Sequence, residues 1–68
     1  MKHVTVVQCD NWEGLYVDSE LKLQDHSIDI RDLIPYMPAT LECIEGYSLW
    51  FQDYLEENDE MPPNCYKN

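Results

Sequence analysis

The stretch TLECIEGYSLWFQDYLEE, residues 40–57, decides what this chain can be. Ile44, Tyr47, Phe51, Tyr54 and Leu55 recur at close to helical spacing, with Cys43 and Trp50 at the flank, so the segment read as a helix carries a wide apolar stripe. The hydroxyl of Thr40 stands where it can cap the amides of Glu42 or Cys43, and Glu42 and Glu45 fall near the positive end of the dipole. The spacing therefore predicts a main helix over 40–57, beginning at Leu41, with Glu42, Glu45, Asp53, Glu56 and Glu57 on its outer face. Gly46 inside the run costs up to about 1 kcal/mol relative to Ala, which keeps a strand-turn-strand reading of 41–51 as the alternative.

As a rod rising 1.5 Å per residue, the five carboxylates from Glu42 to Glu57 would span about 22 Å, roughly one charge per 4.5 Å. A nucleic-acid strand carries one per about 3.4 Å, so a basic groove built for phosphates would meet similarly spaced anions. No Lys or Arg occurs between Arg31 and Lys67, while Asp59 and Glu60 extend the acidic run. The plainer reading is that an acidic face only keeps a small protein dissolved. Trp50 and Tyr54 lie within the run, either as core or as aromatic anchors ringed by charge.

Upstream, Asp25 or Ser27 can start a short helix, with Ile30, Leu33, Ile34 and Met37 toward one side. Pro35 and Pro38 limit it, so residues 25–39 read as a short connecting helix and a corner around Tyr36. Residues 1–24 read as β-structure. Lys2 to Cys9 alternates except at Val7, as expected of a strand partly buried on both faces, and Asp10, Asn11 and Gly14 supply turn chemistry. A second hairpin joins Gly14–Val17 to Glu20–Gln24. A two-residue turn would set Val17 against Glu20 and Tyr16 against Leu21; a three-residue loop would align Leu15 and Val17 with Leu23 and Leu21. Residues 58–68 read as a coil tail.

The 68 residues carry a formal net charge of −10, from 14 acidic and 4 basic side chains. Leu, Ile, Val and Phe make up 16 of the 68, just above the roughly 20 % below which a highly charged chain stays disordered. Such a chain folds as one domain around a thin core, too small for a multidomain enzyme and too acidic for direct nucleic-acid binding. Neither an export signal nor a membrane-spanning run is visible, which points to the cytoplasm. Cys9, Cys43 and Cys65 lack zinc-finger or disulfide-scaffold spacing. With His3 and His26 they leave a small zinc module as an alternative, and no cofactor is expected. Calcium-loop spacing is absent. Cys9 with His26 and Asp25, or Ser27 or Ser48 with a histidine, could be drawn as catalytic sets. No nucleophile elbow or phosphate-binding glycine loop supports them, and the chain is read as a non-enzyme.

The run Trp12-Glu13-Gly14-Leu15-Tyr16-Val17-Asp18, with Leu21 and His26-Ser27-Ile28, resembles a pattern in short uncharacterised proteins encoded by bacteriophages and prophages. It covers about a quarter of the chain. Those proteins tend to carry Gly where Ser19 and Asp25 stand here, which weakens a type I′ hairpin turn. The resemblance implies a small hairpin-and-helix domain acting in a host cytosol by binding and blocking a host protein.

The sequence thus predicts an α+β domain: a three-stranded antiparallel meander, a short connecting helix and a C-terminal amphipathic helix. Its partner would be a protein with a basic surface, of which one that normally grips nucleic acid is one kind, met through Glu42, Glu45, Trp50, Asp53, Tyr54, Glu56 and Glu57. The alternative of another class is a structural homodimer paired through an edge strand at Lys2 to Gln8.

Overall fold

Val4 and Val6 point to one face of strand β1 (Lys2–Cys9), Val7 and Cys9 to the other, and all four are buried. A strand covered on both faces belongs inside a sheet, with a neighbour on each side. In the computed structural model, which describes residues 2–46 and 50–65, β1 has both. Strands β2 (Trp12–Val17) and β3 (Glu20–Asp25) continue antiparallel on one side. On the other, β4 (Ala39–Glu45) runs parallel to β1, giving a mixed four-stranded sheet of order β3-β2-β1-β4.

The protein is α+β as expected, and β1 to β3 form the expected antiparallel meander, but a fourth strand joins it in parallel and the predicted helix over 40–57 is divided. Its first part is β4, and among the described residues its helical part is α1 (Trp50–Asn58). Two residues explain the outcome. The Thr40 hydroxyl, expected to cap a helix, instead meets the His3 ring at 2.5 Å and the Lys2 carbonyl at 3.4 Å, tying β4 to β1. Gly46 is buried where a Cβ would come within 2.5 Å of Val7 Cγ1, so the bare backbone closes onto the core. Tyr47, Ser48 and Leu49 lie outside the described residues.

Both hairpin registers occur in part. Asp18 and Ser19 take positive φ (50° and 78°), forming the tight two-residue turn despite the absence of glycine, with Val17 opposite Glu20 and Tyr16 opposite Leu21. An irregularity between Leu15 and Tyr16 then shifts the register, so Leu15 faces Leu23. The extra residue sends Leu21 to one face of the sheet and Leu23 to the other.

A dozen or more residues are needed to join parallel strands, and residues 26–38 supply them by crossing one face of the sheet. The expected connecting helix is replaced by two 3-10 turns, Ile30–Asp32 and Ile34–Tyr36. The cap is Asp29, not Asp25 or Ser27; it forms a capping box with Asp32, and Pro35 sits in the second turn. Of the apolar side chains assigned to this helix only Leu33 is buried, joining Val4, Val6, Leu15 and Val17. Ile30, Ile34 and Met37 stay exposed.

The opposite face is covered by α1 and the tail. Phe51 and Met61 join Val7, Cys9 and Tyr16 in a second cluster, flanked by Trp12, Leu21, Ile44, Trp50, Leu55 and Cys65. The tail is coil but anchored: Met61 and Pro62 are buried, and Pro63 to Cys65 follow the outer edge of β3 through Leu21 N to Pro63 O and Cys65 N to Ser19 O, each 3.0 Å.

Candidate protein-binding site

The side chains of α1 spread over an inner, an outer and a turn-facing side, with Glu56 at the boundary of the last two and Asp59 just past the helix end, because neighbours on a helix surface are three and four apart. Phe51 faces the sheet and is buried. Trp50 stacks on it at 4.5 Å between ring centroids and meets Tyr54 edge-on at 6.3 Å. Both are half-buried, so they belong to the margin of the core with one side open. Asp53, Glu56 and Glu57 are exposed on the outer stripe.

The third stripe, Gln52, Leu55, Glu56 and Asp59, lies beside the β1–β2 turn. Gln52 Oε1 accepts from the Asp10 amide at 3.0 Å, and its Nε2 donates to Glu56 Oε1 at 3.3 Å. Between helix and turn is an open cleft of about 310 Å³ lined by Trp12, Gln52, Leu55, Glu56 and Asp59. Its indole wall is fixed. Trp12 Nε1 donates to Gln24 Oε1 at 3.0 Å, the same oxygen accepts from the Met61 amide at 2.9 Å, and the His26 ring meets Trp12 edge-on at 5.0 Å. A lining that combines an indole and Leu55 with two carboxylates suits a cation on an aliphatic stem.

Glu42 and Glu45 are not part of this surface. They stand on β4, Glu42 beside His3 Nε2 at 3.3 Å, so the rod of five carboxylates spanning about 22 Å does not exist. What remains is the shorter group on α1 and Asp59. Among the described residues the ion pairs are His3 with Glu42, Lys22 with Glu20 and Arg31 with Asp29, none of them on α1. Sequence reasoning missed Gln52 and Leu55 as lining residues and the union of Trp12 with Glu56 and Asp59. A tryptophan placed in a polar turn was the available signal.

The other constellations do not assemble. Cys9 is buried beside Met61, its thiol 4.0 Å from the thioether sulfur, and burial raises its pKa, which disfavours the thiolate. His26 packs on Trp12, with Nδ1 3.3 Å from the Asn11 carbonyl. Cys43 is exposed on β4 and Cys65 sits in the tail. Among the described residues no three His, Cys, Asp or Glu are grouped to hold a metal ion, so the zinc alternative finds no ligand set there. No helix of the described residues is long and apolar enough to cross a membrane. Compared with family models, curated proteins and solved structures, the chain matches none of them.

Proposed function

We propose that this chain is a small acidic protein-binding module that receives a basic side chain of its partner in the cleft between Trp12 and α1. The observation that carries this reading is the cleft itself, lined by the Trp12 indole and Leu55 together with the carboxylates of Glu56 and Asp59. Asp53 and Glu57 on the neighbouring stripe add attraction at longer range, which steers a basic surface more than it tightens the complex. Trp50 and Tyr54 offer half-open rings beside them. A partner that normally grips nucleic acid would present such a surface. Occluding it in a host cytosol would give the inhibitory role implied by the likeness to phage proteins.

The test is titration of the chain with an oligoarginine peptide, followed by tryptophan fluorescence at low and high salt. Binding should weaken about tenfold in a Glu56→Gln, Asp59→Asn variant, a loss of about 1.4 kcal/mol. A Glu42→Gln, Glu45→Gln variant of equal net charge should bind nearly as the parent does. If the two variants weaken binding equally, total charge governs the interaction and the cleft reading is wrong.

A further inference from the structure

The two outer edges of the sheet are treated differently. The β3 edge is covered by the tail at Pro63 to Cys65, whereas no strand or bridge of the described residues lies outside β4. β4 pairs with β1 over seven consecutive residues without a register shift. It holds no Lys, no Pro and no bulge, and of the devices that ordinarily blunt an edge it carries the charges of Glu42 and Glu45 alone. Beside it on the crossover side stand Leu41 (53 % exposed), Met37 (43 %) and, farther back along the chain, Ile34 (64 %).

We infer that β4 pairs with β4 of a second copy, antiparallel about a two-fold axis at Leu41, to make a continuous eight-stranded sheet. Side chains and charge select this register. An axis at Glu42 would set two carboxylates directly opposite each other, which is destabilising. An axis at Leu41 sets Leu41 against its twin, Thr40 against the partner's Glu42, and Ala39 against the partner's Cys43. Lys2 and His3 pair with Ala39 and Thr40 at the start of β4. The two-fold therefore brings Lys2 and His3, one strand in from the edge, to about 10 Å from the partner's Glu45 and Glu42, a longer-range complementarity that occurs twice. A second copy is the occupant this strand fits, because one register pairs the edge backbone and the exposed Leu41 side chains while keeping the carboxylates of Glu42 from standing directly opposite each other, and it turns the basic end of each copy toward the acidic end of the other. The expected edge at Lys2 to Gln8 is excluded, since β1 is the second strand from that side and already paired on both flanks.

Sedimentation of the full chain at micromolar concentration should show a dimer. Added salt should strengthen it by screening the repulsion between two chains of charge −10, opposite in sign to the salt response of the basic peptide. Leu41→Lys, at an exposed position, should raise the dimer dissociation constant at least about tenfold while the circular dichroism spectrum is unchanged. In a Cys65→Ser background, Ala39→Cys should give a disulfide-linked dimer under mild oxidation, because opposed positions lie within disulfide reach. Without that change the two Cys43 thiols sit about 13 Å apart along the strands and should not link. A monomer, a dimer indifferent to Leu41→Lys, or a dimer linked through Cys43 but not through Ala39→Cys overturns the inference.

Discussion

The two layers that cover the sheet are built on different terms. On the helix side the central groups are locked: Phe51 and Met61 are buried, the Tyr16 hydroxyl donates to the Pro62 carbonyl at 2.6 Å, and Gln24 holds both Trp12 and the Met61 amide. On the crossover side a single side chain, Leu33, is buried, with Ile28, Tyr36 and Ala39 partly so, and Ile30 is left 76 % exposed. The contrast teaches that a thin core can be stabilised on one face and left adhesive on the other. Acidic side chains face outward from the sealed layer, where a basic partner is proposed. Apolar side chains face outward from the open layer, near the edge where a second copy is proposed.

The most severe way to break this comparison is to truncate one buried residue on each side. Phe51→Ala should cost about 3–5 kcal/mol, enough to unfold most of a domain this size, whereas Leu33→Ala should fall toward 2 kcal/mol because its surroundings are open enough to relax. Urea denaturation of both variants gives the order. If Leu33→Ala proves the more damaging, the crossover side carries the fold.

Gly46→Ala follows. The added methyl would lie 2.5 Å from Val7 Cγ1, 3.0 Å from Cys9 Sγ and 3.1 Å from Phe51 Cβ, so the predicted loss is about 2–3 kcal/mol, at the upper end for overpacking. In a helical reading of 40–57 the same substitution would stabilise the chain by up to about 1 kcal/mol. The sign of the change in thermal midpoint thus separates the observed strand from the expected helix.

That residue also shows how far the sequence could be read. Strands β1 to β3 were legible because alternation and turn residues are local signals, and the end of the long apolar stripe, from Trp50, was legible as a helix. Residues 40–45 were legible as a strand only in the alternative reading of 41–51. Leu41, Cys43 and Ile44 fit either period, and what decides is distant: an unpaired flank of β1, a His3 ring for Thr40, and a space beside Val7 that admits only Gly46. The hairpin was undecided for a similar reason, since a single bulge lets both registers hold in succession. Asp53, Glu56 and Glu57 were legible as an acidic face, but the cleft depends on the β1–β2 turn returning beside α1. Met61 and Pro62 lay in what read as a tail, and nothing local marks them as core.

Tyr16→Phe tests the lock between tail and sheet. Losing the hydroxyl leaves the Pro62 carbonyl without its partner, at a cost of about 1–2 kcal/mol. The phenol also links stability to pH. Its pKa is raised above the ordinary value of 10.0, chiefly by burial and secondarily by Cys65, Cys9 and Tyr54. Above pH 10.0 the unfolded chain therefore releases this proton while the folded one keeps it, and stability falls as pH rises. Melting curves from neutral to strongly alkaline pH should decline more steeply for the parent than for Tyr16→Phe. Parallel declines would mean that the tail is held by something other than this phenol.

The smallest effect belongs to the open layer, and it sharpens the comparison most finely. Ile30→Gln removes an isoleucine from the first 3-10 turn, outside the buried cluster of its own side. Because the side chain already stands mostly in water, its replacement should change the unfolding free energy by no more than about 0.5 kcal/mol, measured in the Leu41→Lys background so that self-association does not enter. The capping box of Asp29 and Asp32 holds the turn independently of what residue 30 carries. A larger loss would mean that Ile30 finds cover in solution, and the open layer would then contribute to the core of a single chain instead of presenting itself to another.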